Sequence, residues 1–459
     1  MKSVPDPPLE RILPMPLPED LSGMPTALPA ALIGDWNRVI FGILSHAAAT
    51  GPALNAVLEG APDFALGQAI RGISCLLLGR SEMVSVAREA LVAARGAAPG
   101  TPREAAFVQA LADWLDGSPT RAVARVQAVL ADHPRDALAM KLVQGIQFVM
   151  GRPVEMRRSV EAVMPAWGDH PARGYLLGCH AFALEETGEY AAAERTGRLG
   201  VALAPDDAWG LHAVAHVHDM TGRARDGLDW LAGREGSWAH CNNFRFHVWW
   251  HRALMHLDLQ EYDAALALYD ADIRAEKTDD YRDVANAASL LSRLELEGVD
   301  VGARWDELAD LSERRAADGC LAFADLHYLL ALCGGGRDAA AAGLIARMAR
   351  ARSDTSEARR IIAHPGLHLA KGIQAFAQGE YSMAWLHLRE GGRDSQQIGG
   401  SHAQRDIFAR ITIEAALRGG YMDAAETLLR DRVRQRANIA DGYAERRLDL
   451  IHAARSRAV

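Results

Sequence analysis

Two pairs of histidines lie close together in the middle of this 459-residue chain. His212 and His216 are four residues apart, as are His247 and His251, which places each pair on one face of a helix. Histidine can form hydrogen bonds, bind a metal through a neutral ring nitrogen, or exchange a proton near neutral pH. A lone helical histidine is more commonly a packed core residue, so the pairing is what predicts a binding pocket.

Polar and aromatic residues flank these two pairs. Asp219 is the only carboxylate adjacent to the first pair, and Asn243 and Trp250 flank or separate the histidines of the second. We expect the amide of Asn243 to donate to a ligand, Trp250 to form a wall of the pocket, and Asp219 to orient a histidine.

A second segment with binding potential begins at Ser401. Two glycines precede this residue, and its hydroxyl is a suitable N-cap for a helix. His402, Arg405 and Asp406 then fall on the first helical turn, where unpaired backbone amides favour an anion. The segment predicts either an anion contact by His402 and Arg405 or a capped helix start with an internal ion pair.

These residues leave three functions open. The first is binding of a small anionic molecule or a peptide carboxylate in a His-rich concave pocket, with affinity rising as pH falls through about 6.5. The second is an enzyme, such as a metal-dependent hydrolase, that uses a histidine as general base or metal ligand. The third is a protein–protein adaptor. We predict no bound metal and identify no cofactor, because the segment lacks a His-Glu-x-x-His arrangement and a cysteine pair.

A recurring turn predicts the elements that position these side chains. Four copies of one pattern place a tyrosine two residues, and an alanine five residues, after a turn residue; they begin at Gly188, Gln260, Gly379 and Gly419. Counting similar turns, the spacing is 34 to 43 residues, and the turn residues are Gly79, Gly117, Gly151, Gly188, Gly222, Gln260, Gly298, Gly336, Gly379 and Gly419. Such a period is typical of stacked helical hairpins.

The fold predicted from this period is all-α. Residues 35–459 are expected to form one continuous tetratricopeptide-like superhelix, an α-solenoid of about ten helical hairpins whose first helices line the concave side. Residues 1–34 contain eight of the nineteen prolines within their first thirty positions, so we expect an extended N-terminal segment.

Composition limits the partners. The formal net charge of −9 gives no overall basic surface for nucleic acid, and no charge-free apolar run of eighteen residues predicts a membrane span. Five widely spaced cysteines without a Cys-x-x-Cys pair indicate reduced thiols and a cytoplasmic protein. The expected partner is a small anionic molecule or peptide, and a homodimer is possible.

Three segments resemble the tetratricopeptide repeat protein 38 family: His212–Arg223, Phe246–His251 and Ile398–Asp406. Shorter supporting similarities lie at Leu268–Asp270 and Ser289–Glu295, so the resemblance covers roughly residues 170 to 420. The family has a glutamate after the first histidine stretch, where this chain has an aspartate. The resemblance implies the helical-repeat fold and does not imply a particular activity.

Overall fold

The computed structural model describes residues 17–97, 100–351 and 355–458. Within these ranges the regular secondary structure is helical, and extended pairing is limited to two isolated bridges. This confirms the all-α prediction. The first sixteen residues of the Pro-rich segment lie outside the described residues. Residues 17–29 contain no helix, and a 3₁₀ turn at Ala30–Leu32 leads into the first α-helix.

Eleven helical hairpins follow one another in the described ranges. The first six are α1 (Ile33–Ser45) with α2 (Thr50–Gly60), α3 (Ala65–Leu77) with α4 (Ser81–Gly96), α5 (Pro102–Leu115) with α6 (Pro119–Asp132), α7 (Ala137–Val149) with α8 (Pro153–Val163), α9 (Arg173–Glu185) with α10 (Tyr190–Leu203), and α11 (Ala208–Met220) with α12 (Ala224–Leu231).

The remaining hairpins complete the solenoid. Two short helices, α13 (Gly236–Ala239) and α20 (Glu357–Ile361), lie between hairpins. The five hairpins are α14 (Phe244–Asp258) with α15 (Tyr262–Leu268), α16 (Tyr281–Leu296) with α17 (Arg304–Arg315), α18 (Ala322–Gly334) with α19 (Asp338–Arg350), α21 (Leu367–Ala377) with α22 (Tyr381–Gly392), and α23 (His402–Arg418) with α24 (Met422–Gln435). Helix α25 (Gly442–Ala458) covers the end.

The predicted turn residues adopt the left-handed conformation that ends a helix. Nine of the ten marked positions have φ between 61° and 84°, including the non-glycine Gln260. At Gly188 the turn is a Schellman motif, because Gly188 N–H donates to Glu185 O and Glu189 N–H donates to Leu184 O, both at 2.9 Å. These turns therefore separate the two helices of each predicted hairpin.

The tenth predicted turn was wrong by one residue. Gly419 has φ of −81° and remains right-handed, whereas Gly420 has φ of 83°. The small residue packed five positions later is consequently Ala425, which is fully buried, instead of Ala424. Two adjacent glycines can both supply the left-handed residue, and packing of the following helix selects the second.

The superhelix closes on itself, so hairpins distant in sequence are in contact. Glu357 N–H donates to Gly117 O at 2.9 Å, and the side chain of Gln396 donates to Gly151 O at 3.1 Å. Near the N-terminus, Asn242 N–H donates to His46 O at 2.8 Å. The first helices of the central hairpins, α9, α11, α16 and α18, are consequently buried along most of their length.

The number of buried residues differs between the first and the second helices of the hairpins. In α11, twelve of thirteen residues are buried, whereas α10 buries only Ala193, Gly197 and Gly200. A helix that is buried on all faces must satisfy its polar side chains internally. His212, His216, His247 and His251, on α11 and α14, are buried and therefore face protein groups on all sides.

Among the described residues, no helix combines the length and the apolar character that crossing a lipid bilayer requires.

Candidate functional site

Four imidazoles converge where α11 packs against α14. One ring nitrogen from each of His212, His216, His247 and His251 lies within 4.8 Å of the others. The residues are 1%, 0%, 9% and 0% exposed, respectively. The four-residue spacing places both rings of each pair on the same helix face, and the contact of α11 with α14 brings the two pairs together.

Hydrogen bonds at the outer edge of the cluster fix the orientation of two rings. His212 Nδ1–H donates to Trp209 O at 2.6 Å, and His247 Nδ1–H donates to Asn286 Oδ1 at 3.0 Å. Because a carbonyl oxygen only accepts, the hydrogen of His212 sits on Nδ1 and its Nε2 keeps a lone pair. The same assignment applies to His247. Such outer contacts hold metal-ligating histidines in one tautomer.

Two of the inner nitrogens are spaced as ligands of one ion. His247 Nε2 and His251 Nε2 are 3.1 Å apart. Two nitrogens bound tetrahedrally at the usual zinc–nitrogen distance are separated by about 3.3 Å. In the absence of an ion, this approach is stable only when one nitrogen carries a hydrogen and donates to the other.

Burial controls the charge of these rings. It lowers the pKa of His212 and of His251 well below the usual value, and neighbouring imidazoles lower both further. The pKa of His247 falls to about 3, chiefly because of burial. These three rings are therefore neutral at physiological pH and offer lone pairs instead of positive charge.

His216 differs from the other three because it faces carboxylates. Burial by itself lowers its pKa, but Glu185 and, more weakly, Glu186 outweigh burial and raise the pKa above the usual value. His216 Nδ1 lies 3.5 Å from Glu185 Oε2. The carboxylates therefore favour a proton on His216, and the ring is positively charged unless a metal cation displaces that proton.

Aromatic rings enclose the cluster. Phe182 stacks on His212 at a centroid distance of 5.3 Å, and Trp250 stacks on His247 at 5.3 Å. Trp209 and Phe244 approach His212 to 4.7 and 5.0 Å. This shell lowers the local dielectric constant and strengthens electrostatic contacts within it. Trp250 is thus part of the wall around the histidines.

Sequence reasoning missed the two glutamates at the end of α9. Glu185 is completely buried and Glu186 is 6% exposed. One oxygen of each, together with a nitrogen of His216, forms a second group whose atoms lie within 4.8 Å of one another. Their position in the last turn of a buried first helix, two and three residues before Gly188, was the available signal.

The segment that begins at Ser401 reaches this group. Ser401 caps α23 by accepting from Gln404 N–H, as predicted. The backbone N–H of His402 donates to Glu186 Oε1 at 2.7 Å, and Arg405 Nη2 lies 3.3 Å from Glu186 Oε2. The anion that this helix start was predicted to bind is therefore supplied by Glu186 of the same chain. Burial raises the pKa of Glu186, but His402 and Arg405 outweigh it and hold the pKa below its usual value.

Two predicted site carboxylates pair with arginines instead of the histidines. Asp219 Oδ1 accepts from Arg436 at 3.0 Å, and Asp406 accepts from Arg410 at 2.7 Å and from Arg432 at 2.6 Å. They line a cavity of about 10 Å³, the size of one water molecule. The guanidinium groups of Arg410, Arg432 and Arg436 are buried, and they pair with these carboxylates in place of the four histidines.

Asn243 also contacts other groups than predicted. It is the N-cap residue of α14, and its side-chain amide donates to Asp283 Oδ2 at 2.5 Å. The amide that touches the cluster is that of Asn286 on α16, one hairpin further along the chain. Asn243 thus helps to fix the start of α14.

Comparison with known proteins adds little to this description. No protein-family model matches the chain. Among solved structures, the chain is similar to "Crystal Structure of the Yeast Tom70", at 12% sequence identity and a TM-score of 0.35, over 93% of this chain and 88% of that chain.

Proposed function

We propose that this chain is a metal-binding helical-repeat protein in which His212, His216, His247 and His251 hold a divalent transition-metal ion. The observation that carries the proposal is the convergence of four ring nitrogens within 4.8 Å in a buried, aromatic surrounding. An all-imidazole donor set suits Zn²⁺, Cu²⁺, Ni²⁺ or Fe²⁺, and Zn²⁺ accepts four nitrogens in tetrahedral geometry. Zn²⁺ is therefore the expected ion.

The ion would join two neighbouring hairpins. Each i, i+4 pair acts as a chelate on its own helix, so one ion ties α11 to α14. Because ligands from two helices must be in place together, binding free energy becomes folding free energy. We infer that the ion stabilises the stacking of the sixth and seventh hairpins.

Two features favour a cation over the anionic ligand expected from sequence. His212, His247 and His251 are neutral, since burial lowers the pKa of each. The positive groups expected to complete an anion site, Arg405 and His402, already contact Glu186. The burial of these four histidines also disfavours an adaptor that would grip a peptide against them.

The proposal includes membership of the tetratricopeptide repeat protein 38 family and a cytoplasmic location. The motifs that carry the family resemblance supply all four histidines together with His402 and Arg405. The five cysteines are all free thiols, which supports a reducing compartment.

The test is the metal content of purified protein, measured by inductively coupled plasma mass spectrometry before and after Zn²⁺ addition to chelator-treated protein. At least one tightly bound ion per chain is expected, and His251→Ala should lose it. His218→Ala is the matched control, because His218 is a buried histidine of α11 outside the cluster. Chelator-treated protein that takes up no Zn²⁺, or a His251→Ala variant that binds like wild type, would refute the proposal.

A further inference from the structure

The carboxylate of Glu185 is buried without a hydrogen-bond donor. Its side chain is 0% exposed, and neither oxygen has a hydrogen-bond partner within the part of the chain that the structure describes. A buried carboxylate is costly unless a positive charge or several donors compensate it. The nearest candidate donor, His216 Nδ1, is 3.5 Å from Oε2, which leaves Oε1 uncompensated.

The local charge is also unbalanced. Glu185 and Glu186 bring two negative charges, and Arg405, at 3.3 Å from Glu186 Oε2, brings one positive charge. The nearby Asp219 is paired with Arg436. One negative charge therefore remains among these carboxylates, and either a proton on His216 or a bound cation beside Glu185 neutralises it.

The His216 ring stands between the two groups of ligand atoms. It belongs to the four-histidine cluster and also to the group formed with Glu185 and Glu186. Its Nδ1 faces Glu185, and Nε2 occupies the other side of the ring. Neither ring nitrogen has a hydrogen-bond partner among the described residues.

We propose a second divalent cation, bound by Glu185, Glu186 and His216 beside the first and linked to it through the His216 ring. On binding, any hydrogen on Nε2 of His216 is displaced by the first ion and the hydrogen on Nδ1 by the second, and both protons pass to the buffer. The ring then binds as an imidazolate with one lone pair for each ion, so no oxidant or reductant is involved. Two carboxylates and one imidazole suit a harder ion than four imidazoles do, such as Mn²⁺ or Fe²⁺, and also Zn²⁺. This inference rests on the proposed function only through the shared His216.

Closure of the superhelix would complete this second site. Glu186 is held by the amide of His402 and by the side chain of Arg405, both on α23. A carboxylate has about four lone-pair sites, so Glu186 would bind the ion while it keeps these contacts and the approach of His402 Nε2, at 3.6 Å from Oε2. The Ser401–Asp406 segment thus positions the Glu186 side chain, which lies six hairpins earlier in the chain.

Metal stoichiometry tests the proposal. Chelator-treated chains are dialysed against buffered Zn²⁺, and bound metal per folded chain is measured, with folding monitored by circular dichroism. Wild type should bind two ions, and Glu185→Gln, which keeps the shape of the side chain, should bind one. His247→Ala removes a ligand of the first group alone and should also bind one. Glu89→Gln, an exposed glutamate on α4, should still bind two.

The outcomes separate the two proposals. One ion in both wild type and Glu185→Gln would overturn the second site and leave the first intact. No ion in wild type would overturn both, and two ions in Glu185→Gln would place the second ion elsewhere. As a measurement that needs no variant, Cu²⁺-loaded wild type should show spin coupling between two ions bridged by one ring. Two magnetically independent copper signals would refute the shared ring.

Discussion

Glu186, at the end of α9, accepts a hydrogen bond of 2.7 Å from the backbone amide of His402, although 216 residues separate the two. This contact joins the fifth hairpin to the eleventh and closes one turn of the superhelix. It also places a carboxylate from α9 beside the histidine cluster. The closure of the fold and the assembly of the site therefore depend on the same residues.

Removing the positive partner of Glu186 should weaken this closure. In metal-free protein, we expect Arg405→Gln to lower the free energy of unfolding by about 3 kcal/mol, because a buried carboxylate loses its guanidinium. Urea denaturation measures the effect. Arg393→Gln removes an exposed ion pair with Glu390 and should change stability by less than about 1 kcal/mol. Equal effects of the two variants would contradict a closing role for Arg405.

Metal binding should raise stability by mass action. At a free Zn²⁺ concentration of one hundred times the dissociation constant, the gain is about 2.7 kcal/mol. We expect wild type and His218→Gln to show this gain in thermal unfolding, and His247→Gln to show little of it. His218 and His247 are both buried histidines of first helices, so the two substitutions should disturb packing to a similar extent. An unchanged response in His247→Gln would argue against coordination by this ring.

The hydrogen bond from His247 to Asn286 should tune metal affinity. Asn286→Ala frees the outer edge of the ring, and loss of such a partner weakens affinity by roughly 10- to 100-fold. Isothermal titration of Zn²⁺ against a competing chelator can measure this change. Asn243→Ala is the control, since Asn243 donates to Asp283 and should leave affinity unchanged. If both variants bind Zn²⁺ as wild type does, Asn286 has no such role.

Asp207 should make stability depend on pH. Burial raises the pKa of Asp207 to about 7, whereas in the unfolded chain it is near 4. Between these values the folded state holds a proton that the unfolded state has released. The free energy of unfolding should therefore fall as pH rises, by up to about 1.4 kcal/mol per pH unit from this group.

The variant Asp207→Asn removes this contribution. Urea denaturation in the presence of chelator measures the free energy of unfolding at pH 5 and at pH 8. The decrease from pH 5 to pH 8 should be smaller in the variant than in wild type. Asp132→Asn, at an exposed position, should retain the wild-type loss. A pH dependence that is the same in all three proteins would show that Asp207 is not the responsible group.

The left-handed turn at Gln260 offers a stabilising substitution. Its φ of 61° is costly for a residue with a Cβ atom and free for glycine. Gln260→Gly should raise the free energy of unfolding by about 1 kcal/mol. Gln378→Gly, at a helix end with φ of −84°, should give no gain. A loss of stability in Gln260→Gly would mean that the glutamine side chain contributes more than the backbone strain costs.

Local sequence determined much of the fold. Turn residues such as Gly188 and Gln260 end their helices because a left-handed residue cannot continue one, and nine of ten lie where they were expected. The four-residue spacing of His212 and His216 places both rings on one face whatever surrounds them. Where two glycines were adjacent, at Gly419 and Gly420, sequence could not choose between them.

The partners of the predicted residues were decided by tertiary structure. Asp219 and Asp406 had the right chemistry for a site, yet arginines of the last hairpin pair with them. Glu185 and Glu186 lacked any motif of their own, and they approach His216 only because the superhelix stacks α9 against α11.

The sequence alone determined the repeating helical hairpins and the two histidine pairs, since both follow from backbone preferences and helical periodicity over a few residues. Only the tertiary structure decided that the four rings meet beside two buried carboxylates, with α23 completing the site from more than two hundred residues away. The reason is that charge pairing and burial are settled by which distant hairpins come into contact when the superhelix closes.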